Sequence, residues 1–176
     1  MPMKSAQPFR PRRALEAGLD AVLDTAERAH ERGRHAYAQR LVEQVLALEP
    51  LHASAWKLRS RIAESDDRLM DALMCLRRAL DAEPDRAAWQ HQYGTMCRRA
   101  GRLADAASAL RTAIRLRPYR ADSMIELGMV LVAMGGRDDA EYWAARALQI
   151  DPDNREAHAL LEFVVGEPQA PEFDAA

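Results

Sequence analysis

The sequence predicts an all-α fold made of repeated helical hairpins. Prolines recur every 34 residues, each at the end of a similar phrase such as LALEP or LDAEP, at Pro50, Pro84, Pro118 and Pro152. Between them, apolar residues are spaced three and four apart, as on one face of a helix, and no run alternates as a strand would. Small residues also recur at a fixed place in each period, where two helices can approach closely: Ala38, Ala72, Ala106 and Ala140.

The proline period divides most of the chain into four repeats, 19–52, 53–86, 87–120 and 121–154. Each repeat is predicted to contain a helix A, a short turn and a helix B, and the proline ends helix B because it lacks an N–H group. The turn needs a residue that tolerates a positive φ, and this position holds Gly33, Asp67, Gly101 and Gly135. We expect Asp85 and Asp153 to be the N-caps of the helices that follow two of the prolines.

The segments outside the four repeats have different roles. Residues 155–167 carry an apolar stripe and are predicted to be a ninth helix that caps the end of the stack. We therefore expect a single repeat domain over 13–167. Residues 1–12 are predicted to be a flexible basic segment, and 168–176 a flexible acidic tail.

Composition excludes several classes of protein. The 176 residues include 25 Lys and Arg against 27 Asp and Glu, so a net charge of −2 argues against nucleic-acid binding through bulk charge. The longest apolar run is six residues, 129–134, whereas a membrane-spanning helix needs about 20. No apolar region follows the basic N-terminus, so we expect no secretory signal. Cys75 and Cys97 form no CxxC motif, which favours a reducing cytoplasm.

No catalytic or cofactor-binding motif is present in the sequence. The nearest approach to a metal motif is His30 and His35, which are five residues apart with Gly33 between them, whereas a zinc-binding helix places its histidines four apart. Cys97 lies in an interior column of helix A and is interpreted as a small buried hydrophobe. We therefore predict a protein that is not an enzyme, with no catalytic residue, no metal and no cofactor.

The repeat resembles a known family. Trp56, Gly94, Gly128, the alanine column and the four prolines are similar to the tetratricopeptide repeat (TPR). The resemblance implies a right-handed superhelical α-solenoid of helix-turn-helix hairpins. It also implies that the A helices line a concave groove, which usually holds an extended peptide or a helix of a partner protein. Repeat 19–52 departs most from the pattern, since Val22 and Thr25 occupy its Trp and Leu columns.

The resemblance assigns groove-facing positions to each A helix, and in this sequence they are zoned. The first repeat contributes acidic residues, including Glu27. The middle contributes polar and basic residues: Lys57, Arg61, His91, Thr95, Arg98 and Arg99. The last repeat and the capping helix contribute apolar residues expected to be exposed: Ile125, Met129, Val132 and Phe163. Two alternatives remain open, namely that intrahelical pairs such as Arg61–Glu64 neutralise the basic zone and that the capping helix covers the apolar zone.

These zones predict an adaptor or scaffold that binds a partner segment carrying acidic and apolar residues. The carboxylate-clamp pattern of TPR domains that hold heat-shock chaperone tails does not fit, because its Lys and Asn columns carry Leu23 and Glu27. Alternatives are a TPR chaperone of bacterial type III secretion, a non-catalytic subunit of an enzyme complex and an RNA-binding solenoid, against which the net charge argues. We expect a bacterial cytoplasmic protein with no membrane contact. Pairing of two copies and occupation of the groove by Phe173 of the tail are further hypotheses.

Overall fold

The computed structural model describes residues 11–166, with side chains from residue 17 onward, and every regular element in that range is a helix. The all-α prediction is therefore confirmed. The helices are α1 (Pro11–Glu31), α2 (His35–Leu48), α3 (Ala53–Ser65), α4 (Leu69–Ala82), α5 (Ala87–Arg99), α6 (Leu103–Leu116), α7 (Ala121–Ala133), α8 (Arg137–Ile150) and α9 (Arg155–Val165).

The helix boundaries follow the period of the sequence. Helices α3, α5, α7 and α9 begin at residues 53, 87, 121 and 155, and α2, α4, α6 and α8 begin at 35, 69, 103 and 137. Both series advance by the interval that separates the prolines. Helix α1 is longer and begins at Pro11, inside the segment expected to be flexible. Residues 1–10 and the acidic tail 168–176 lie outside the described residues.

The chain divides into two compact units. Unit 1, Met1–Ala82, contains α1 to α4; α1 packs on α2, α3 packs on α4, and α3 also contacts both helices of the first hairpin. Unit 2, Glu83–Ala176, contains α5 to α9. Its hairpins are α5 with α6 and α7 with α8, and α9 packs on both helices of the second hairpin.

The turns between helices A and B have the backbone that the sequence predicted. Gly33, Gly101 and Gly135 have φ values of +71°, +72° and +86°, and Asp67 has φ +57° at the equivalent place. Each turn brings two helices together through the small-residue column, whose four alanines are completely buried. At Gly94 the approach is so close that a Cβ atom would lie 2.6 Å from the Cγ atom of Leu110.

The predicted N-caps are wrong by one residue. Arg86 and Asn154 occupy the cap positions of α5 and α9, so Asp85 and Asp153 lie in the preceding turns. The side chain of Asn154 accepts a hydrogen bond from the backbone N–H of Ala157, as an N-cap does. The Arg86 side chain makes no such bond.

Candidate partner-binding surfaces on the A helices

The basic residues predicted in unit 1 lie on α3, and one of them is paired with α1. Arg61 donates from Nη1 to the Oε1 atom of Glu27 over 3.2 Å, and both side chains remain more than a third exposed. This bond joins neighbouring A helices, and Glu27 is a partner that was not assigned to Arg61 from the sequence. Because an exposed ion pair contributes at most about 1 kcal/mol to stability, Arg61 can exchange Glu27 for a carboxylate of a partner at small cost.

Lys57 lies one helical turn before Arg61 and is half-buried. Burial, and then the charge of Arg61, lowers the pKa of its ammonium group to about 8, while Glu64 opposes the shift. A carboxylate placed against this pair would relieve the repulsion between the two cations and raise the pKa of Lys57 again. The α3 surface is therefore suited to an anionic group.

Two of the predicted polar residues of unit 2, His91 and Arg98, make hydrogen bonds from α5 to α7, and Thr95 makes one within α5. Arg98 donates from Nε to Glu126 over 2.9 Å, and a second contact from Nη2 is 3.5 Å long. The Nδ1 atom of His91 lies 3.0 Å from the Oγ atom of Ser123, which is fully buried. The hydroxyl of Thr95 donates to the carbonyl of His91 over 3.1 Å. Arg98 uses one edge of its guanidinium group on Glu126, and a guanidinium has five N–H donors in all.

The apolar zone differs from the prediction at one position. Ile125 is 1% exposed, so its expected place on an exposed wall is wrong; α7 packs against α5, α6, α8 and α9, and Ile125 is part of that core. Met129 and Val132 are partly exposed. Phe163 is 62% exposed. The guanidinium carbon of Arg137 lies 5.7 Å from the Phe163 ring centre, and its Nη2 atom donates to the Phe163 carbonyl over 2.8 Å.

The predicted set is thus divided between the two units. Unit 1 holds Lys57 and Arg61, while the other eight predicted residues belong to unit 2. Within unit 2, Arg99 is exposed in the last turn of α5, where its positive charge interacts favourably with the helix dipole. Each unit therefore offers its own A-helix surface, with different chemistry.

The acidic partners of the arginines were missed from the sequence. Glu27 and Arg61 are 34 residues apart and occupy the same column of consecutive repeats, so the period itself contains the signal for this pair. Glu126 lies 28 residues from Arg98, and no column relation predicts that contact.

Two half-buried histidines, His30 and His91, have lowered pKa values. Burial, and then the charge of Arg61, lowers the pKa of His30, whose Nδ1 atom has no hydrogen-bond partner in the described part of the chain. Burial, and then Arg120, lowers the pKa of His91. Among the described side chains, those of residues 17–166, no group of three or more potential ligands is arranged to hold a metal ion. None of the described helices is long and apolar enough to cross a membrane.

Two family models match the chain. The tetratricopeptide-repeat model matches residues 23–87. A longer match, over residues 60–165 and more than half of the chain, is to the middle TPR-like domain of cilia and flagella-associated protein 70. The two matches together show that the chain belongs to the tetratricopeptide-repeat family.

Solved TPR structures are similar in fold. A MamA protein has a TM-score of 0.78 at 20% identity, with 83% of this chain and 80% of that chain covered. PilF of Pseudomonas aeruginosa has a TM-score of 0.71 at 19% identity, covering 85% and 68%. YrrB, described as a TPR protein with an unusual peptide-binding site, has a TM-score of 0.71 at 19% identity, covering 82% and 75%. No curated protein sequence matches this chain.

Proposed function

We propose that this protein is a non-enzymatic adaptor that binds a segment of a partner protein on the exposed surfaces of its A helices. The observation that carries the proposal is the α5–α7 surface of unit 2. On α5, Thr95 and Arg98 are held by hydrogen bonds, and the bond of Arg98 reaches Glu126 of α7. On α7, Met129 and Val132 are partly exposed. Polar groups held in place beside accessible apolar surface are typical of sites that recognise peptides. The description of YrrB names a peptide-binding site on the same fold, which supports this class of function.

The chemistry of the two surfaces defines the partner segment. On α3, Lys57 and Arg61 repel each other, so binding of a carboxylate is favoured by both charges. On α5, the guanidinium of Arg98 is already oriented by Glu126 and has further N–H donors for a second acceptor. On α7, Met129 adapts easily to apolar side chains because it is unbranched. An acidic segment fits the α3 surface of unit 1, and a segment with acidic and apolar residues fits the α5–α7 surface of unit 2.

The test is a selection of binding peptides from a random peptide library with the full chain as bait. Selected peptides are then measured against the groove variant, in which Lys57, Arg61, Arg98 and Arg99 are changed to Glu. A matched control reverses the charge of four exposed arginines that have no described ion pair. They are Arg111 and Arg115 of α6, Arg117 directly after α6, and Arg155 at the start of α9. Circular dichroism of all three proteins establishes equal helicity.

We expect the selected peptides to carry acidic and apolar residues. Their affinity for the groove variant should be at least about tenfold lower than for the parent, because each lost charged hydrogen bond costs about 1.5–3 kcal/mol. Their affinity for the control should change little. Equal losses in both variants would mean that only net charge matters. Full retention in the groove variant would exclude these surfaces as the site.

A pH titration examines the contribution of Lys57 separately. Since the pKa of Lys57 is about 8, its ammonium group loses its proton as the pH rises from 7 to 9, and affinity for an acidic peptide should fall over that range. The Lys57→Arg variant keeps its charge and should remove the fall. Affinity that is independent of pH in the parent would exclude Lys57 from the binding site.

We also propose a cytoplasmic location, with which the buried thiols of Cys75 and Cys97 are compatible because neither is in a disulfide.

A further inference from the structure

Three exposed arginines line a small surface cavity, open to solvent, beside the first turn of unit 1. The cavity has a volume of about 140 Å³, and its walls include Arg28 and Arg32 of α1, Arg34 of the turn and Tyr37 of α2. Thr25 and Ala29 complete the lining. No acidic side chain is among the lining residues. The walls of the cavity therefore carry three positive charges and no negative charge.

Among the side chains of unit 1 that the structure describes, residues 17–82, these three arginines differ from the others because they have no partner there. Among residues 17–82, no ion pair, side-chain hydrogen bond or ring contact is made by Arg28, Arg32 or Arg34. Asp24 and Glu31 are close in sequence but form no ion pair with them in this part of the chain. The remaining arginines of that range all have described partners, either carboxylates or aromatic rings: Arg40, Arg59, Arg61, Arg68, Arg77 and Arg78.

The repeat explains why Arg34 is unpaired. The equivalent arginines of the next two repeats are Arg68 and Arg102, and each forms an ion pair with an aspartate three residues later, Asp71 and Asp105. In the first repeat this aspartate is replaced by Tyr37, whose ring is 43% exposed. The carboxylate that neutralises this turn in the neighbouring repeats is therefore absent here.

The start of α2 adds to the positive potential. Arg34 at its N-cap makes no side-chain capping bond, and its first turn contains no acidic residue. The other B helices, α4, α6 and α8, each carry at least one aspartate in the first turn. An uncapped helix N-terminus has free N–H groups and a partial positive charge, both of which favour an anion.

We propose that this cavity binds a phosphate monoester, with Arg28, Arg32 and Arg34 as its guanidinium ligands. A carboxylate is satisfied by one guanidinium, whereas a phosphate dianion has enough acceptor oxygens and charge for three. A water molecule occupies about 30 Å³ in the liquid, so the cavity admits a phosphoryl group and the first atoms of what carries it. The phosphoryl group is either free inorganic phosphate or part of a phosphorylated side chain. This site is independent of the proposed peptide surfaces.

The test is a nuclear magnetic resonance titration of the full chain at constant ionic strength. The probes are inorganic phosphate, a peptide containing phosphoserine, and the same peptide with unmodified serine. The backbone amides of residues 33–37 should shift saturably with the first two probes and not with the third. Tighter binding of the phosphopeptide than of phosphate would identify a phosphorylated side chain as the source, and equal binding would identify free phosphate.

Two variants and a control make the test specific. Changing Arg28, Arg32 and Arg34 together to Gln should weaken phosphate binding at least about tenfold. Tyr37→Asp keeps every arginine but restores the aspartate of the neighbouring repeats, so it should also weaken binding by pairing with Arg34. The control changes Arg111, Arg115 and Arg117 to Gln, which removes the same charge from exposed positions of unit 2 and should leave binding unchanged.

Three results would overturn the proposal. They are the absence of saturable shifts in the parent, an equal loss of binding in the control, and undiminished binding by the Tyr37→Asp variant. Since Tyr37→Asp alters one exposed side chain, it also provides a folded variant if the triple change disturbs the hairpin.

Discussion

Replacing Gly94 by alanine tests the closest helix contact in unit 2. Gly94 lies on α5, and an added Cβ atom would be 2.6 Å from the Cγ atom of Leu110 and 3.2 Å from the carbonyl oxygen of Ala106, both on α6. Two carbon atoms normally approach no nearer than about 3.5 Å. Leu110 is completely buried and the contact is at its branch point, so the side chain cannot simply swing away into solvent.

The expected loss of stability follows from two opposing effects. Alanine favours a helix over glycine by about 1 kcal/mol. Overpacking of a well-filled core costs about 1–3 kcal/mol, and here the helices must separate by a large part of an ångström. Because the contact is with the branch point of a fully buried leucine, the cost should lie at the upper end, about 2–3 kcal/mol. After the helix-propensity gain, we expect Gly94→Ala to lose about 1–2 kcal/mol of unfolding free energy and Gly94→Leu to lose more.

Substitutions of two other glycines provide comparisons for the stability change of Gly94→Ala. Gly18 lies in α1 with nothing within 4 Å of an added Cβ, so Gly18→Ala should gain about 0.5–1 kcal/mol from helix propensity alone. Gly128 would place its Cβ 2.5 Å from the Cδ2 atom of Leu160, the far end of a flexible side chain, so Gly128→Ala should cost less than Gly94→Ala.

The assay is urea unfolding followed by circular dichroism at several wavelengths, with the midpoint and slope compared between variants. If Gly94→Ala were as stable as the parent while Gly18→Ala gained stability, α5 and α6 would not be as close as the structure has them. The register of the small-residue columns would then be wrong.

Three further predictions concern stability. Asp67→Gly should stabilise by up to about 1 kcal/mol in thermal unfolding, because Asp67 holds a positive φ that glycine adopts without strain, and Asp67→Ala should destabilise. Because the folded chain lowers the pKa of both His30 and His91, the unfolded chain binds protons first as the pH falls below about 6.5. Urea midpoints should therefore fall from pH 7.5 to pH 5.5, and substituting both histidines by Gln should flatten that dependence. Ser60→Ala should cost about 1 kcal/mol on the same assay, since the Ser60 hydroxyl donates a buried 2.8 Å bond to the carbonyl of Ala72; an unchanged midpoint would mean that this bond contributes nothing.

The helices were predictable because the information that specifies them is local and repeated. Proline ends a helix through its own ring, and glycine permits a positive φ through its missing Cβ, whatever lies around them. Four copies of the pattern made each position visible in the others, and even Asp67 could be assigned to the left-handed turn. The caps at Arg86 and Asn154 were misplaced because a helix can begin one residue later at little cost.

The candidate sites were less predictable because exposure and pairing depend on neighbouring helices. A groove-facing column cannot distinguish the buried Ile125 from the partly exposed Met129, since what covers them comes from other helices of unit 2. The sequence alone indicates no partner for Arg98, but in the structure its side chain donates a hydrogen bond to Glu126 of α7. The repeat period predicts which residues are equivalent, and it does not report the distance between two side chains.

The amino-acid sequence was sufficient for the family, the number of hairpins and the backbone of each turn, because these depend on short-range conformational preferences summed over four repeats. The packed helices were needed to find which charges are compensated. Arg34 illustrates both contributions. The sequence shows that Tyr37 stands where the next two repeats have the aspartate that pairs with the equivalent arginine. The place of Arg34 beside Arg28 and Arg32 around one cavity arises only when α1 and α2 fold against each other. Electrostatic interactions act through space, so their outcome is set where the chain brings distant residues together.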